Sequence, residues 1–503
     1  MSKASAEHLA FRPGNGWLAG IVLAVLTYWL FAQTLLNVIP GISKSLGLQS
    51  TIATLAVSIT ALFGGIFIVV AGGIADRWGR VRIFRIGLVL SMLGSLLVVL
   101  APARMGGLTT TLILGGRIVQ GFSYACIMPT ALALIKAFND GADRQRAVSF
   151  FSIGTFGGSG LTAFFGGALA ATFLGWRSIF VLSIVVALVA LFLTRKTPES
   201  RAVVAPNAPA RAFDWGGLVT FFITLVALDV FIAEGAQLGW LSLPSLVLLL
   251  VTVVGAVAFF RVEAKRIGRS PFIDLSMFRN LRFTGPVLAN FLINTGVAAI
   301  MVTLGLMQKG GGWNSFEAGL LTLGYVVAIL SMIRVGEKLL QRFGTKKPMW
   351  WGTSILLVGI VLNSLTFLPK NLYVVAVVIG FTLFGVGLGL FATPATDAAI
   401  SSVPESEVGV ASGIFKMGSS LGGSIGVTIA ATLVAVGAAV PASVVERWGI
   451  FSGWTVAAGP VRFGSMLGLG FVVLAAILVL VAIALTVPNA DQEKVAQEKA
   501  TAR

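Results

Sequence analysis

The sequence predicts an all-α membrane protein: two six-helix bundles related by an internal repeat, plus two inserted helices, making fourteen membrane-spanning helices. Three observations lead there. Of the 503 residues, 57% are hydrophobic and only 11% charged, whereas a soluble chain carries about 25% charged residues. The apolar residues gather in repeated runs of about 18 or more, the length that crosses a hydrocarbon core. Short motifs also recur at an offset of about 265 residues.

The spans are expected at 16–38, 52–73, 83–101, 107–130, 147–170, 176–194, 214–234, 243–260, 282–307, 317–333, 349–368, 372–396, 408–437 and 463–487. An even number puts both termini on one side of the membrane. That side holds 27 of the 36 Lys and Arg residues, counting Arg85 and Arg282 at the inner ends of their spans, and the opposite side 7, counting Arg177 at an outer end, with Arg117 and Lys416 deeper inside spans. The positive-inside rule then places both termini in the cytoplasm. The net charge of +17 is thereby explained by topology, and no nucleic-acid partner is expected. His8 is the only histidine and Cys126 the only cysteine, which excludes disulfide scaffolds and Cys/His metal or haem sites. The first apolar run is a full span long and lacks a small-residue cleavage site, so no cleavable signal is expected.

The expected organisation is a first bundle over 1–195, linkers with the inserted pair over 196–281, a second bundle over 282–490 and a polar tail over 491–503. Residues 195–213 are rich in Pro, Ala and Arg and read as a flexible linker. The repeat shows where "DRWGRVR" (76–82) faces "QRFGTKK" (341–347) at an offset of 265, and where Gly154 and Gly158 face Gly418 and Gly422 at 264. Paired membrane bundles of this kind hold a midplane site between their halves.

Within this frame the rare polar residues stand out. Asp76, Arg77, Arg80 and Arg82 share a loop with Gly73 and Gly79. Asp76 can accept hydrogen bonds there from a helix N-terminus and from a guanidinium. Arg117 lies ten residues into span four, about 15 Å along a helix. An intramembrane guanidinium is costly and functional by default; the alternative is a structural ion pair or a clamp on carbonyls. Gly154, Gly158, Thr162 and Gly166, with Gly167 alongside, form a small-residue face in span five, suited to close packing between bundles. Gly418, Gly422 and Gly426 repeat it in span thirteen. Asp397 and Lys416 are expected at similar depth on adjacent helices, as a buried pair that is either a proton site or a static link. Asp229 and Glu234 sit toward the outer end of span seven, and Glu317 can cap span ten. Gln33, Thr34, Asn37, Asn290 and Asn294 could line a pocket otherwise walled by Phe, Met and Trp. The outer segment 438–462 carries Trp448 and Trp454 and is either a lid or an interfacial stretch.

These residues resemble the major facilitator superfamily and, within it, the fourteen-helix drug:proton antiporters. "GGIADRWGRVR" (72–82) matches the superfamily loop signature and "GGRIVQGFSYA" (115–125) the Arg-x-x-Gln-Gly signature of the fourth helix. Stretches such as "DRQRAVSF" and "ATPATDAAI" look most similar to the NorB-type quinolone exporters. The resemblance implies that Gly73, Asp76, Arg77, Gly79, Arg80 and Arg82 form a cytoplasmic gate; the alternative is that the arginines are positive-inside anchors. It makes Arg117 part of the proton machinery, with Asp397, Lys416 and Asp229 as further candidates. Two departures are visible. Thr162-Ala163 replaces the central Gly-Pro of the antiporter signature, and Ala32 replaces the aspartate of an Asp-x-Thr-x-x-Asn pattern whose Thr34 and Asn37 are kept.

The function so implied is proton-driven export of amphiphilic antibiotics or biocides such as quinolones, dyes or quaternary ammonium compounds, without a cofactor. The expected setting is a bacterial cytoplasmic membrane, the expected partners are small amphiphiles, protons and the lipid bilayer, and the expected state is a monomer. The alternative is export of an endogenous metabolite, peptide or lipid. A membrane-embedded enzyme would need a catalytic cluster, and the acidic residues here are scattered while the lone histidine lies in a tail.

Overall fold

A computed structural model describes residues 11–488 apart from 12, 35–41, 44, 49, 171–174, 202–213, 266–272, 274, 314, 452 and 456–457. Among the described residues the regular elements are all helical. The first part of the chain forms α1 (Asn15–Leu26), α2 (Ser50–Trp78), α3 (Arg80–Val99), α4 (Gly107–Phe138), α5 (Gly141–Ser152), α6 (Gly158–Ala170) and α7 (Arg177–Leu193). The inserted pair is α8 (Trp215–Leu238) and α9 (Leu243–Lys265). There follow α10 (Leu281–Asn294), α11 (Val297–Lys309), α12 (Ser315–Leu320), α13 (Leu323–Phe343), α14 (Lys346–Ser364), α15 (Lys370–Ser401), α16 (Val408–Ala438), α17 (Ala442–Arg447) and α18 (Gly459–Thr486).

Helix underlies every expected span. Among the described residues ten stretches are long and apolar enough to cross a membrane, and Arg177–Leu193 and Trp215–Leu228 are shorter apolar helices. The remaining two spans differ for visible reasons. Span five is diluted by Gly154, Gly157, Gly158, Gly160, Gly166 and Gly167, and α14 opens on Lys346, Lys347 and Pro348. Helices satisfy their backbone groups internally, which is what hydrocarbon demands.

The chain divides into two compact units. The first holds residues 1–228, 250–277 and 399–417, the second 229–249, 278–398 and 418–503. The repeat is legible inside each. Gly79 and Gly344, 265 residues apart, both turn the chain after a helix at positive φ (+127° and +74°), a region open to glycine at no steric cost. Pro129 in α4 and Pro394 in α15 are intrahelical prolines at the same offset.

The small-residue faces pack within each unit, against its own first helix. A methyl on Gly154 would meet Val22 and Val25 of α1, and one on Gly158 would meet Leu26 and Trp29. In the second unit Gly422 lies on the Phe291 carbonyl and Gly426 on Thr295, both at the α10 end. In the first unit side chains of the first helix fill the groove the glycines leave; in the second the absence of a Cβ lets the two backbones approach. Thr162 is half-buried and its hydroxyl donates to the Ser159 carbonyl at 2.9 Å. Gly166 is buried, and the surroundings of Gly167 lie outside the described residues.

A second repeated device closes helix ends. The C-terminal carbonyls of a helix have no partner within it, and a cation there also meets the negative end of the dipole. In the first unit the Arg177 guanidinium donates to the Val99 and Ala101 carbonyls at 3.1 and 2.9 Å, at the end of α3, and stacks on Trp176. Arg85 of α3 donates in return to the Arg195 carbonyl at 2.8 Å, beyond the end of α7. In the second unit Arg462 donates to the Thr366 and Leu368 carbonyls at 2.7 and 2.9 Å and lies over Trp454. Lys346 of α14 answers by donating to the Ala484 carbonyl at 2.8 Å, near the end of α18. Trp454 also donates its indole N–H to the Leu368 carbonyl at 3.1 Å, so it packs into the protein, whereas Trp448 is largely exposed.

Candidate functional site

The charged loop between α2 and α3 builds a buried latch within the first unit. Arg80 is fully buried and donates from Nε to Asp76 Oδ1 at 2.9 Å. Its Nη2 donates to the Glu405 carbonyl at 2.5 Å, and its Nη1 lies 3.6 Å from Glu405 Oε1 and 3.4 Å from Ser200 Oγ. The second oxygen of Asp76 accepts from the Gly409 N–H at 3.0 Å, in the first turn of α16. There an anion meets unpaired amides and the positive end of the dipole. The helices touch at glycine: a methyl on Gly72 would stand 2.3 Å from the Gly409 carbonyl oxygen. Gly73, the neighbouring glycine of the expected gate, would place its methyl 3.6 Å from Val410, an ordinary distance. The helix phase turns Gly72 toward α16 and Gly73 aside.

Around this pair stand further supports. The Glu199 carboxylate accepts from the Val81 and Arg82 N–H groups at 2.9 and 3.2 Å and so caps α3. It lies against Gly79, where any side chain would collide with it. Lys136, near the end of α4, donates to the Ile400 and Val403 carbonyls at 2.7 and 2.5 Å, closing the last turn of α15. Arg77 and Arg82 are exposed. Of the three loop arginines, Arg80 is the buried one. In the second unit the carboxylate sits one turn earlier: buried Glu337 accepts from Arg334 and from Gln341.

Arg117 is buried deep in the first unit as a clamp on carbonyls. Its Nε donates to the Ala56 carbonyl at 2.7 Å and its Nη1 to the Ala32 carbonyl at 3.0 Å and Gln120 Oε1 at 2.6 Å. Gln120 passes the chain on to Ser95 at 3.1 Å, and Ser95 to Ser183 at 3.4 Å. One guanidinium therefore joins α2, α4 and the π-helical segment Thr27–Ala32 that continues α1 and, through Gln120, α3 and α7. Ala32, the position where the family pattern carries an aspartate, supplies a backbone oxygen to the arginine in place of a carboxylate.

Lys416 is buried in the first unit, with its ammonium over the rings of Phe151, Phe415 and Phe156 at 4.8, 5.5 and 5.8 Å. Such rings attract a cation through their quadrupoles. Asp397 is buried in α15 within the second unit, so the expected pair is divided between the two units. Asp229 and Glu234 lie in α8, and their side chains fall outside the described residues. Glu317 is exposed in the first turn of α12.

The pocket candidates separate. Thr34 is fully buried and its hydroxyl donates to the Leu30 carbonyl, which assigns it to helix architecture. Asn290 is buried and donates to Ser419 Oγ at 2.7 Å, and Asn294 donates back to Asn290. Gln33 and Asn294 are half-buried, Gln33 donating to the Tyr28 hydroxyl at 3.0 Å. Asn37 lies outside the described residues. Among the described residues no three His, Cys, Asp or Glu side chains gather to hold a metal ion.

A latch of this composition on an all-helical membrane scaffold coincides with sequence likeness. A family model of the Major Facilitator Superfamily matches residues 21–427 and 287–502. The chain belongs to that superfamily. Quinolone resistance protein NorB of Staphylococcus aureus strain MSSA476 is 48% identical over 421 residues, 84% of this chain and 88% of that protein. The NorB of strain MRSA252 is 47% identical over the same shares. Two solved structures share the fold at 14% identity. The proton:xylose symporter XylE bound to 6-bromo-6-deoxy-D-glucose aligns with a TM-score of 0.61 over 96% of this chain and 97% of that one. The human organic anion transporter MFSD10 aligns at 0.59 over 95% and 100%.

Several parts of this superfamily site escaped the sequence reading. Glu199 and Ser200 belong to "TPES", just after α7, and a lone carboxylate at the head of a basic linker was a usable signal. Gln120 lay inside the quoted fourth-helix signature, one turn from Arg117. Lys136, Glu405 and Gly409 act on or through backbone groups, which have no letter in a sequence.

Proposed function

We propose that this superfamily member is a proton-coupled exporter of amphiphilic antibiotics and biocides, quinolones among them, working by alternating access in a bacterial cytoplasmic membrane. The observation that carries the reading is the 48% identity to quinolone resistance proteins across 84% of the chain. In this reading the chain crosses the membrane fourteen times as a monomer with both termini cytoplasmic, as the 27-to-7 division of basic residues suggests. The Asp76–Arg80–Glu405 network is the cytoplasmic gate: its pairs form and break as the transporter switches, biasing a two-state equilibrium. Arg117 holds the first bundle in the geometry that proton transfer needs. Asp397, Lys416 and Asp229 are the groups through which protons pass, and Gln33 and Asn294 offer polar contacts to substrate. The missing first-helix carboxylate favours zwitterionic substrates alongside cations.

The test uses purified protein in liposomes with a pH dye trapped inside. Under an imposed proton gradient, norfloxacin, ethidium and a lipophilic quaternary ammonium are added in turn. Substrate-dependent proton movement that is lost in Asp397→Asn is the expected result. No response from folded protein to any compound would overturn the reading in favour of an endogenous substrate or another driving ion.

A further inference from the structure

In the second unit a cleft of about 620 Å³ opens where three helix ends meet: the start of α10, the start of α14 and the end of α18. Its lining includes Arg279, Arg282 and Lys346 and, among the described residues, no acidic side chain. These cations come from two separate stretches of chain, so their meeting is a product of the fold. Lys346 already spends one N–H on the Ala484 carbonyl at 2.8 Å, which offsets the negative end of α18. Asn280 holds the first turn of α10 by accepting from the Arg282 N–H at 3.1 Å, beside the guanidinium groups.

The surroundings of the cleft are apolar. Leu281 and Leu485 line it and are 55% and 76% exposed, a large area for leucine side chains to offer to water. Gly285 lies against Thr486, where a methyl would stand 2.6 Å from the hydroxyl, so α10 and α18 meet directly beside the cleft. Trp350 and Trp351, in the first two turns of α14, are each about 40% exposed, as tryptophans at a membrane–water boundary are. A cleft lined by Arg279, Arg282 and Lys346 together with the exposed Leu281 and Leu485 fits a molecule with a negative head and hydrocarbon tails.

We infer that this cleft binds the headgroup phosphate of an anionic phospholipid, with Arg279 and Arg282 as its cationic contacts and Leu281 and Leu485 against its chains. Basic pockets between helices at the membrane boundary recognise such headgroups through the charges themselves. A bound lipid bridges α10, α14 and α18 and so ties the second unit together at one end. The leaflet concerned, the inner one, rests on the orientation proposed above; the binding does not.

The experiment is native mass spectrometry of the full-length protein in mild detergent, titrated with phosphatidylglycerol, phosphatidylcholine or glycerol 3-phosphate. Wild type is compared with Arg279→Gln/Arg282→Gln. Phosphatidylglycerol binds the double variant about 30-fold more weakly, the loss expected for two basic side chains beside an anionic headgroup. Phosphatidylcholine binds both proteins alike, and glycerol 3-phosphate fails to displace the lipid. Equal phosphatidylglycerol affinity in both proteins would overturn the inference. Displacement by equimolar glycerol 3-phosphate would also overturn it, by making the cleft a site for soluble phosphates. If the double variant does not fold, the exposed Arg279→Gln replaces it, with a loss of about 5-fold expected. No arm measures transport, so failure here leaves the export reading untouched.

Discussion

Gly72→Ala separates the latch from the motif that contains it. The new methyl would stand 2.3 Å from the Gly409 carbonyl oxygen and 2.7 Å from its carbon. Ordinary contact begins near 3.4 Å, so α2 and α16 must part by about 1 Å at this crossing. The Asp76–Gly409 hydrogen bond, 3.0 Å long, then stretches to about 4 Å, beyond hydrogen-bonding range. Losing a hydrogen bond to a charged group costs about 1.5–3 kcal/mol, and overpacking adds about 1–3 kcal/mol. The lower figure alone raises the unlatched population at least about tenfold. The reporter is a cysteine at Ser412, a fully buried position one turn beyond Gly409, in a Cys126→Ala background. Maleimide labelling of Ser412→Cys should quicken about tenfold or more with Gly72→Ala. With Gly73→Ala, whose methyl meets only Val410 at 3.6 Å, it should change less than about twofold. Equal labelling in wild type and Gly72→Ala, or equal acceleration by the two alanines, would refute the reasoning.

Arg117→Lys keeps the charge but cannot span the Ala56, Ala32 and Gln120 acceptors with a planar fork; we expect a loss of about 2–3 kcal/mol, seen as a lower melting temperature in detergent. Arg177→Gln and Arg462→Gln should each cost about 2 kcal/mol. Because they serve different units and share no partner, the double variant should be additive within about 0.5 kcal/mol, measured by the same melts. Glu199→Gln removes the negative charge from the start of α3, and should cost about 1 kcal/mol and speed Ser412→Cys labelling severalfold.

What the sequence made legible follows from rarity. Charge is scarce in a chain built for lipid, so Asp76, Arg80, Arg117 and Lys416 stood out, and each proves buried. The helices showed because an apolar run of that length has few other uses. What stayed hidden depends on backbone and on helix phase. Arg177 and Arg462 counted only as two outer-side charges, since carbonyls as partners leave no mark in the composition. Gly72 and Gly73 are adjacent letters, and only the turn of α2 decides which one faces α16. The glycine stripe at Gly154 and Gly158 announced close packing without naming the partner. The paired prolines, Pro129 and Pro394, were an available sign of the repeat at the same offset that aligned the loops.

The caps and the latch also differ in when they can form during synthesis. Arg177 follows Val99 by 78 residues, and Arg462 follows Thr366 by 96. At about 5–20 residues per second, each pair of helices is pinned within roughly 4–20 s of the first one emerging. Asp76 must wait 333 residues for Gly409, about 17–67 s at the same rate. A nascent chain thus owns braced helix pairs well before it owns a latch. The Asp76–Gly409 contact contributes nothing to early insertion, and the segments that carry it travel through biogenesis without it.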